Sequence, residues 1–377
     1  MNIPLSSPDI TAAEIEAVTA VLRTPHLCFG PELTAFEEAL AAYVGVPHAV
    51  AVSSGTAALH LALLTLGIGA GDEVIIPSFA FIAVANTLHQ VGAVPVFAEI
   101  DPVTLNLDPA GVAHAITPRT RAILVVHTFG IPAQMDALLD LARHHNLRLI
   151  EDACEALGGD FGEGSEKKRC GAFGDLAVFG FYPNKQITTG EGGAVLAHDP
   201  QHAARLRSLR NQGRDCSGAL DIAGQGYNYR LSDIACALGR VQLSRLDEIL
   251  VLRAAAARRY HSLLSAIPGL ELPPLTLPGL TISWFVYVVH LPQGADRERV
   301  QAALARHGIA SASYFAPIHL QPAWKHHPSS LSARLPFTES IACRTLALPF
   351  FNHITLRQQA EVVARLGEAL AGCCLSV

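Results

Sequence analysis

Short, continuously apolar runs alternate with helical patterns through the first two thirds of the chain, and this alternation limits the possible folds more than any other feature. The runs contain many β-branched residues, and they are residues 74–77, 94–100, 122–127, 147–152 and 176–181. The helical segments between them are residues 56–66, 80–91, 109–116 and 134–146. A strand that is apolar along its whole length must be covered on both faces. The sequence therefore predicts an α/β fold with a largely parallel sheet covered by helices.

The last third of the chain follows a different pattern. A long helix is predicted from residue 232 to about residue 264, and a proline-rich stretch covers residues 272–280. A WFVYVVHL strand, a helix near residues 296–307, a loop and a terminal helix follow. A chain of 377 residues is also too long for one small core. We therefore predict a large domain with an N-terminal arm over residues 1–245 and a smaller C-terminal α/β domain over residues 246–377.

Composition and charge exclude several classes of protein. Half of the residues are apolar, which excludes disorder, and the net charge of −6 without a basic block argues against nucleic acid as a partner. The eight cysteines form no CxxC pair, so we expect neither a disulfide framework nor a metal site. The first ten residues do not resemble a signal peptide, and the uncharged stretches 49–71 and 74–98 contain too many polar residues and turns for a membrane span. A cytoplasmic location is expected.

Two strand ends carry residues that suit an anionic, aromatic ligand, because ligands of such sheets bind beyond the carboxyl ends of the strands. SSGT begins a helix, where free N–H groups and the Thr56 hydroxyl can hold an anion; a simple N-cap is the alternative. Glu151 and Asp152 close an apolar strand. A buried carboxylate there needs a cationic partner, such as a protonated pyridine nitrogen, although either residue could instead cap a helix.

The segment FYPNKQITTGEGGAV contains a single lysine, Lys185, just after an apolar strand. Burial among apolar neighbours would free its amine to act as a nucleophile, whereas the alternative is an exposed loop lysine. A phosphate-binding helix start, a strand-end aspartate and an isolated lysine, in this order, predict pyridoxal phosphate chemistry.

At this point the sequence resembles a known family, the DegT/DnrJ/EryC1/StrS sugar aminotransferases. The motifs that carry the resemblance run through nearly the whole chain in the family's order, among them SSGTAALHLAL, GDEVIIPSFAFIAVAN, EDACEALG, GAFGDLAVFGFYPNKQITTGEGG and GYNYRLSD. The resemblance implies the type I fold of pyridoxal-phosphate-dependent transferases, and it implies pyridoxal phosphate as cofactor, with a pyridoxamine phosphate form during turnover. It also implies a homodimer with shared active sites.

The resemblance further assigns roles to individual residues. Lys185 matches the lysine that binds the cofactor and later moves the proton, and Asp152 matches the carboxylate paired with the pyridine nitrogen. Phe81 matches the ring stacked on the cofactor. The remaining cofactor contacts that it implies are Thr56 and Ala57 at the phosphate, Asn228 at the phosphate from the partner subunit, and Glu155 near the cofactor hydroxyl.

The chain departs from the family at two of these positions. Gly180 stands where relatives often have a serine that contacts the phosphate, and Glu155 stands where many have glutamine. The small-domain residues that border the sugar in the family match Trp284, Tyr314 and His319, for which an aromatic core is the alternative interpretation.

The function expected from the sequence is transfer of an amino group from L-glutamate to a nucleotide-linked keto-sugar in amino-sugar and polysaccharide biosynthesis. The FYPNKQITTGEGG segment resembles the branch that aminates C4 of 4-keto-6-deoxyhexoses, including perosamine synthases. A cyclitol aminotransferase and a pyridoxal-binding regulator without turnover are the alternatives. The nucleotide, the sugar stereochemistry and the choice between C3 and C4 are left open by the sequence.

Overall fold

A computed structural model of the chain describes residues 2–214, 222 and 224–374. The strands are β1 His48–Val52, β2 Glu73–Pro77, β3 Val94–Ala98, β4 Thr120–Val126, β5 Arg148–Asp152, β6 Asp160–Phe161, β7 Lys168–Arg169, β8 Leu176–Gly180, β9 Gly193–Ala197, β10 Leu280–Thr281, β11 Tyr287–His290 and β12 Thr345–Leu348. The α helices are α1 Ala12–Leu22, α2 Pro31–Val44, α3 Gly55–Thr65, α4 Ala83–Val91, α5 Pro109–Ala115, α6 Met135–His144, α7 Pro200–Arg210, α8 Asp233–Ser244, α9 Leu246–Leu264, α10 Arg297–Arg306, α11 Pro328–Ser332, α12 Pro336–Ala342 and α13 Leu356–Cys374.

The described residues form one large sheet in the order β1-β9-β8-β5-β4-β2-β3. The pairs from β3 through β2, β4 and β5 to β8 are all parallel, whereas β9 runs antiparallel to both β8 and β1. The prediction of an α/β fold with a largely parallel sheet is therefore confirmed.

Helices cover both faces of this sheet because its strands have apolar side chains on both faces. Along β4, Leu124 packs into the cluster that contains α3 and α4, whereas its neighbours Ile123 and Val125 pack into the cluster that contains α6. Successive side chains of a strand point to opposite faces, so an uninterrupted apolar strand needs a core on each side.

The helix predicted from residue 232 to about residue 264 is interrupted, and the structure instead has α8 and α9, which meet at Arg245. The Arg245 guanidinium binds Asp9 at 3.2 Å and Glu14 at 2.7 Å, which fastens the junction to the N-terminal segment. Apolar packing changes partner soon afterwards: Leu250 packs against the large-sheet core and Ala254 against the C-terminal core. The division between residues 245 and 246 stays a prediction; the structure shows only that the two helices meet there.

The C-terminal core is built on the antiparallel pair β11–β12 and on helices α9, α10 and α13, and Ile3 from the N-terminal segment is buried in it. The two uncharged stretches noted in the sequence fold as β1 with α3 and as β2, α4 and β3. Within the described ranges, no helix has the length and apolar character needed to cross a membrane.

Candidate active site

Three adjacent parallel strands bring the candidate residues to one edge of the large sheet. Asp152, the last residue of β5, pairs with Val126 at the end of β4 and with Val178 of β8. The segments that follow β5 and β8 therefore leave the sheet side by side. They carry Glu155 and Lys185, so the edge selected from the sequence is the edge where these groups meet.

Lys185 lies in the loop between β8 and β9, and its side chain is only 16% exposed. Its amine is 3.5 Å from Oε1 of Glu155 and 4.0 Å from the centre of the Phe285 ring. The backbone N–H of Lys185 donates to the carbonyl of Tyr182, which closes the turn that carries the amine back over the strand end. The amine is therefore held in a mostly buried position between a carboxylate and an aromatic face, not in an exposed loop.

Asp152 is 8% exposed, and one of its carboxylate oxygens accepts the N–H of Cys154 at 3.1 Å. Among the described residues, no lysine, arginine or histidine forms an ion pair with it. Burying a carboxylate without a cation is unfavourable. Asp152 is therefore suited to a ligand that brings its own positive charge.

Glu155 lies between the other groups of the site. Its Oε2 accepts the N–H of Phe129 at 2.9 Å, which leaves Oε1 directed at Lys185. Burial and the nearby charge of Asp152 raise the pKa of Glu155, against the opposing effects of the Lys185 ammonium and the Phe129 N–H. This carboxyl group is therefore able to keep a proton at a higher pH than an exposed glutamate.

The N-terminus of α3 borders the same edge and has free donors. Ser54 caps the helix by accepting the N–H of Ala57 at 3.1 Å, so this N–H is already used, and a phosphate contact through the Ala57 N–H would have to displace the cap. In contrast, the N–H groups of Gly55 and Thr56 have no acceptor among the described residues, and the Thr56 side chain is exposed. These donors and the helix dipole suit a phosphate group.

Gly180, the last residue of β8, lies against this helix start. A Cβ atom built on Gly180 would be 3.6 Å from the Cα of Gly55 and 3.2 Å from the sulfur of Cys154. The strand end and the helix start thus approach each other closely. The space that a serine side chain would need at residue 180 is bordered by the thiol of Cys154.

Aromatic side chains form the walls of the site. Phe81 is 61% exposed although it follows a buried strand, so its ring is available to stack on a ligand. Tyr314 is half-buried, and burial together with the Glu155 charge raises its pKa, whereas the nearby Asn184 amide opposes the rise. Tyr314 therefore lies near Glu155, and its place beside the substrate stays a prediction.

The structure places Trp284 and His319 differently from Tyr314. The Trp284 ring is 6% exposed and stacks on Tyr287 in the C-terminal core, which favours the core interpretation over substrate contact. His319 is 4% exposed, and its Nδ1 is 2.6 Å from the Ser78 hydroxyl while its Nε2 is 3.2 Å from Glu339. Its imidazole is engaged in fastening the loop of residues 312–320 to the end of β2.

Glu151, unlike its neighbour Asp152, does not face the site. It accepts hydrogen bonds from Nε2 of His127 at 3.0 Å and from the backbone N–H groups of Gly171, Phe173 and Gly174. Burial opposes ionisation, but the His127 contact and these N–H groups together lower the pKa of Glu151. The expectation that both acidic residues leave the sheet toward a ligand is therefore wrong for Glu151, because adjacent residues of a strand point to opposite faces.

Two residues of the site were not predicted from the sequence. Phe285 lies under the Lys185 amine, and Arg253 of α9 donates to the backbone carbonyl groups of Lys185 and Phe285. Both come from distant parts of the chain, so no local spacing marks them.

Asn228 lies in an extended segment beside the end of β1, where the carbonyl of Tyr229 accepts the N–H of Ser53 at 2.9 Å. The rings of Tyr227 and Tyr229 both pack against His60 of α3. Asn228 between them is exposed.

Together, the amine, the unpaired carboxylate and the free helix start can bind a small phosphate ester with a carbonyl group and a basic ring nitrogen. Within residues 2–214, 222 and 224–374, no group of three or more His, Cys, Asp or Glu side chains could hold a metal ion.

Comparisons with known proteins agree with this geometry. The model of the DegT/DnrJ/EryC1/StrS aminotransferase family matches residues 8–367. The chain is 39% identical to the GDP-perosamine synthase of Caulobacter vibrioides, over 98% of each protein. It is 38% identical to the dTDP-3-amino-3,4,6-trideoxy-alpha-D-glucose transaminase of Streptomyces venezuelae, over 98% of this chain and 95% of that protein. The PLP form of the protein Spr1654 from Streptococcus pneumoniae superposes with a TM-score of 0.90 and 27% identity, over 99% of this chain and all of that chain.

Proposed function

The chain belongs to the DegT/DnrJ/EryC1/StrS aminotransferase family, and we propose that it transfers the amino group of L-glutamate to a nucleotide-linked keto-sugar. It is a pyridoxal-phosphate-dependent enzyme of amino-sugar biosynthesis. The observation that carries the proposed reaction is the convergence, at one edge of the sheet, of a largely buried lysine amine, a buried carboxylate without a cation, and a helix start with free donors.

The residues at this edge fit the cofactor. The unsatisfied N–H groups of Gly55 and Thr56 would hold its phosphate, and Asp152 would face its ring nitrogen, since a positive charge there would satisfy the buried carboxylate. The exposed ring of Phe81 would stack on the pyridine face. When bound, pyridoxal phosphate serves as an electron sink that lets the amino group of one substrate be exchanged for the carbonyl of another.

Lys185 is the proposed nucleophile and base of the reaction. Its amine would hold the cofactor, and once free it would be the base that takes a proton from the carbon bearing the amino group of the substrate and later gives that proton up again. The Phe285 ring and the Glu155 carboxylate keep the amine directed into the site. Asp152 would hold a positive charge at the ring nitrogen, and its buried, fixed position would make that electrostatic effect strong.

The sugar substrate is proposed from the relatives. GDP-perosamine synthase and the dTDP-sugar transaminase match the chain almost equally well. We propose a nucleoside-diphosphate 4-keto-6-deoxyhexose, aminated at C4 as in a perosamine synthase, and its product would enter polysaccharide synthesis. Tyr314 is the wall residue suited to contact the sugar, because its hydroxyl end lies near Glu155 and Asn184.

We further propose a homodimer with shared active sites in the cytoplasm. The exposed position of Asn228 supports a contact with the phosphate bound in the partner subunit. Exposed apolar side chains at Leu22, Leu27 and Phe29 support an interface near the N-terminal arm. The free thiols of the described cysteines agree with a reducing compartment.

Purified protein and its Lys185→Ala variant test the proposal. Wild-type protein loaded with pyridoxal phosphate should show a visible absorption band that disappears on addition of L-glutamate. It should then convert a GDP- or dTDP-linked 4-keto-6-deoxyhexose to an amino-sugar that mass spectrometry identifies. Lys185→Ala should lack the band and the turnover. Conversion of an inosose instead of every nucleotide-sugar offered would refute the sugar assignment.

A further inference from the structure

Arg253 is a buried guanidinium that connects α9 to the backbone of the active site. The residue is 3% exposed, and its Nη1 donates to the carbonyl groups of Trp284 at 3.3 Å and Phe285 at 3.1 Å. Its Nη2 donates to the carbonyl of Lys185 at 3.2 Å. Among the described residues, Arg253 forms no ion pair with a carboxylate, and its Nε has no acceptor. Burial lowers the pKa of Arg253 to about 10.

Two of the three carbonyl groups belong to the residues whose side chains meet in the site. The Lys185 amine lies 4.0 Å from the centre of the Phe285 ring, and Arg253 holds the backbone of both residues from behind. A second link runs parallel to it: the amide of Gln186 donates to the Ser283 hydroxyl at 2.8 Å. The segment 283–285 is therefore fastened to the lysine loop at two points.

We propose that Arg253 is a positioning residue, which fixes the Lys185 amine relative to the Phe285 ring and the cofactor by binding the carbonyl groups of both residues at once. The proposal rests on the proposed role of Lys185 as the residue that attaches the cofactor.

Stability alone does not account for an arginine at this position. A buried charge without a carboxylate is costly, and apolar side chains of similar volume often replace buried ionic groups without loss of stability. The Nε that lacks an acceptor among the described residues adds to that cost. What an arginine offers is a planar fork whose donors reach three carbonyl groups together, which neither methionine nor lysine can reproduce.

Arg259 provides a matched control on the same helix. It also donates to backbone and amide oxygens, at 3.0 Å to the carbonyl of Ile354 and at 2.7 Å to Gln359, but both partners belong to the C-terminal core. Loss of Arg259 therefore removes comparable hydrogen bonds from α9 without touching the lysine loop.

The experiment compares Arg253→Met, Arg253→Lys and Arg259→Met with the wild type, each freed of cofactor. The rate at which the visible band grows after addition of pyridoxal phosphate measures attachment to Lys185. Pyridoxamine phosphate affinity, measured by fluorescence, reports on the rest of the site because it needs no lysine. Thermal unfolding reports on stability.

Arg253→Met should attach the cofactor about tenfold to a hundredfold more slowly, since displacing a reacting group by about 1 Å has costs of this order. Its pyridoxamine phosphate affinity should stay within about threefold of the wild type. The attachment rate of Arg253→Lys should lie between the rates of Arg253→Met and the wild type. Arg259→Met should lower only the unfolding temperature. Wild-type attachment by either Arg253 variant would overturn the proposal.

Two controls keep the result interpretable. If Arg253→Met does not fold, the lysine variant decides, because it retains the charge and loses only the fork. If Lys185→Ala still develops the visible band, the proposed role of Lys185 is wrong. If the band requires Lys185 but the Arg253 variants attach the cofactor at the wild-type rate, only the proposed role of Arg253 is wrong.

Discussion

The carboxylate of Glu155 lies 3.5 Å from the amine of Lys185, and the two side chains are only 8% and 16% exposed. The N–H of Phe129 fixes the other carboxylate oxygen at 2.9 Å. Burial raises the pKa of Glu155, and the nearby Asp152 adds to this effect against the opposing charge of Lys185. Glu155 thus combines a fixed position with a tendency to remain protonated, which an amide at this position could not reproduce.

Glu155→Gln should change how stability depends on pH. Above the ordinary glutamate pKa of 4.5, the folded wild type binds this proton more strongly than the unfolded chain does, so its free energy of unfolding falls as pH rises toward the raised value. Glutamine binds no proton in this range. The difference in unfolding free energy between variant and wild type should therefore move in favour of the variant as pH increases from about 4.5. Denaturant unfolding of the cofactor-free proteins from pH 4 to pH 8 measures it, and a constant difference would contradict the raised pKa.

Asp152→Asn should reduce turnover without releasing the cofactor. The substitution removes the negative charge that we propose to face the ring nitrogen of the cofactor, and it preserves the size of the side chain. Losing one such preorganised interaction costs on the order of a hundredfold in rate. Single-turnover reaction of the loaded enzyme with L-glutamate gives the rate, and absorbance confirms loading. A near-normal rate with cofactor bound would show that Asp152 has only a structural role.

Glu151→Gln is the informative comparison, because it changes the adjacent residue on the opposite face of β5. Removing one partner of a buried pair costs about 3–5 kcal/mol, so the variant should lose stability but retain its activity per folded molecule. The lowered pKa of Glu151 means that its contribution is present above pH 4.5 and is lost as pH falls below that value. The difference between variant and wild type should therefore be largest near neutral pH. Loss of single-turnover activity in folded Glu151→Gln would contradict this separation of roles.

The sheet and the edge that carries the candidate site could be predicted because local sequence encodes them. Apolar strands end in polar residues, and parallel strands end at the same edge, so Asp152 and Lys185 were found without any tertiary information. The distinction between Glu151 and Asp152 needed only the alternation of side chains along β5. Helix α2 and strand β1, which precede the first predicted helix, were not predicted. The spacing of apolar residues in residues 31–52 does not change clearly from a helical period to the alternation of a strand.

Other features depend on contacts between residues far apart in the chain. The helix break at Arg245 is fastened by Asp9 and Glu14, and the position of the Lys185 amine depends on Phe285. His319 was selected by its place in a motif, but its partner Ser78 precedes it by 241 residues. No periodicity or spacing in the sequence could reveal these pairs.

Gly180 and Cys154 should be coupled in cofactor binding. A serine at residue 180 would offer the phosphate a hydroxyl, and a hydrogen bond to a charged acceptor contributes about 1.5–3 kcal/mol. However, its Cβ would lie 3.2 Å from the Cys154 sulfur, so the thiol must move. We expect Gly180→Ser to tighten pyridoxal phosphate binding at least about twofold more in a Cys154→Ala background than in the wild type. Dissociation constants of the four proteins test this, and equal effects in both backgrounds would show that the thiol yields without cost.

Asn228 is expected to act on the partner subunit. The segment around it lies beside the residues that lead into α3 of its own chain, because the carbonyl of Tyr229 accepts the N–H of Ser53. A contact with the phosphate of its own site is therefore a real alternative. Asn228→Ala should weaken cofactor affinity by about tenfold to a hundredfold in either case. An experiment that mixes this variant with Lys185→Ala distinguishes action on the partner subunit from action on its own subunit.

If Asn228 acts across the interface, a heterodimer of the two variants has one site with both lesions and one site with neither. At a cofactor concentration that leaves Asn228→Ala alone empty, verified heterodimers should then regain activity, from one of their two sites. If Asn228 serves its own chain, each site of the heterodimer carries one lesion and activity stays absent. Tags of different charge on the two chains allow the heterodimer to be isolated, so that lack of recovery cannot be attributed to failure of the chains to mix.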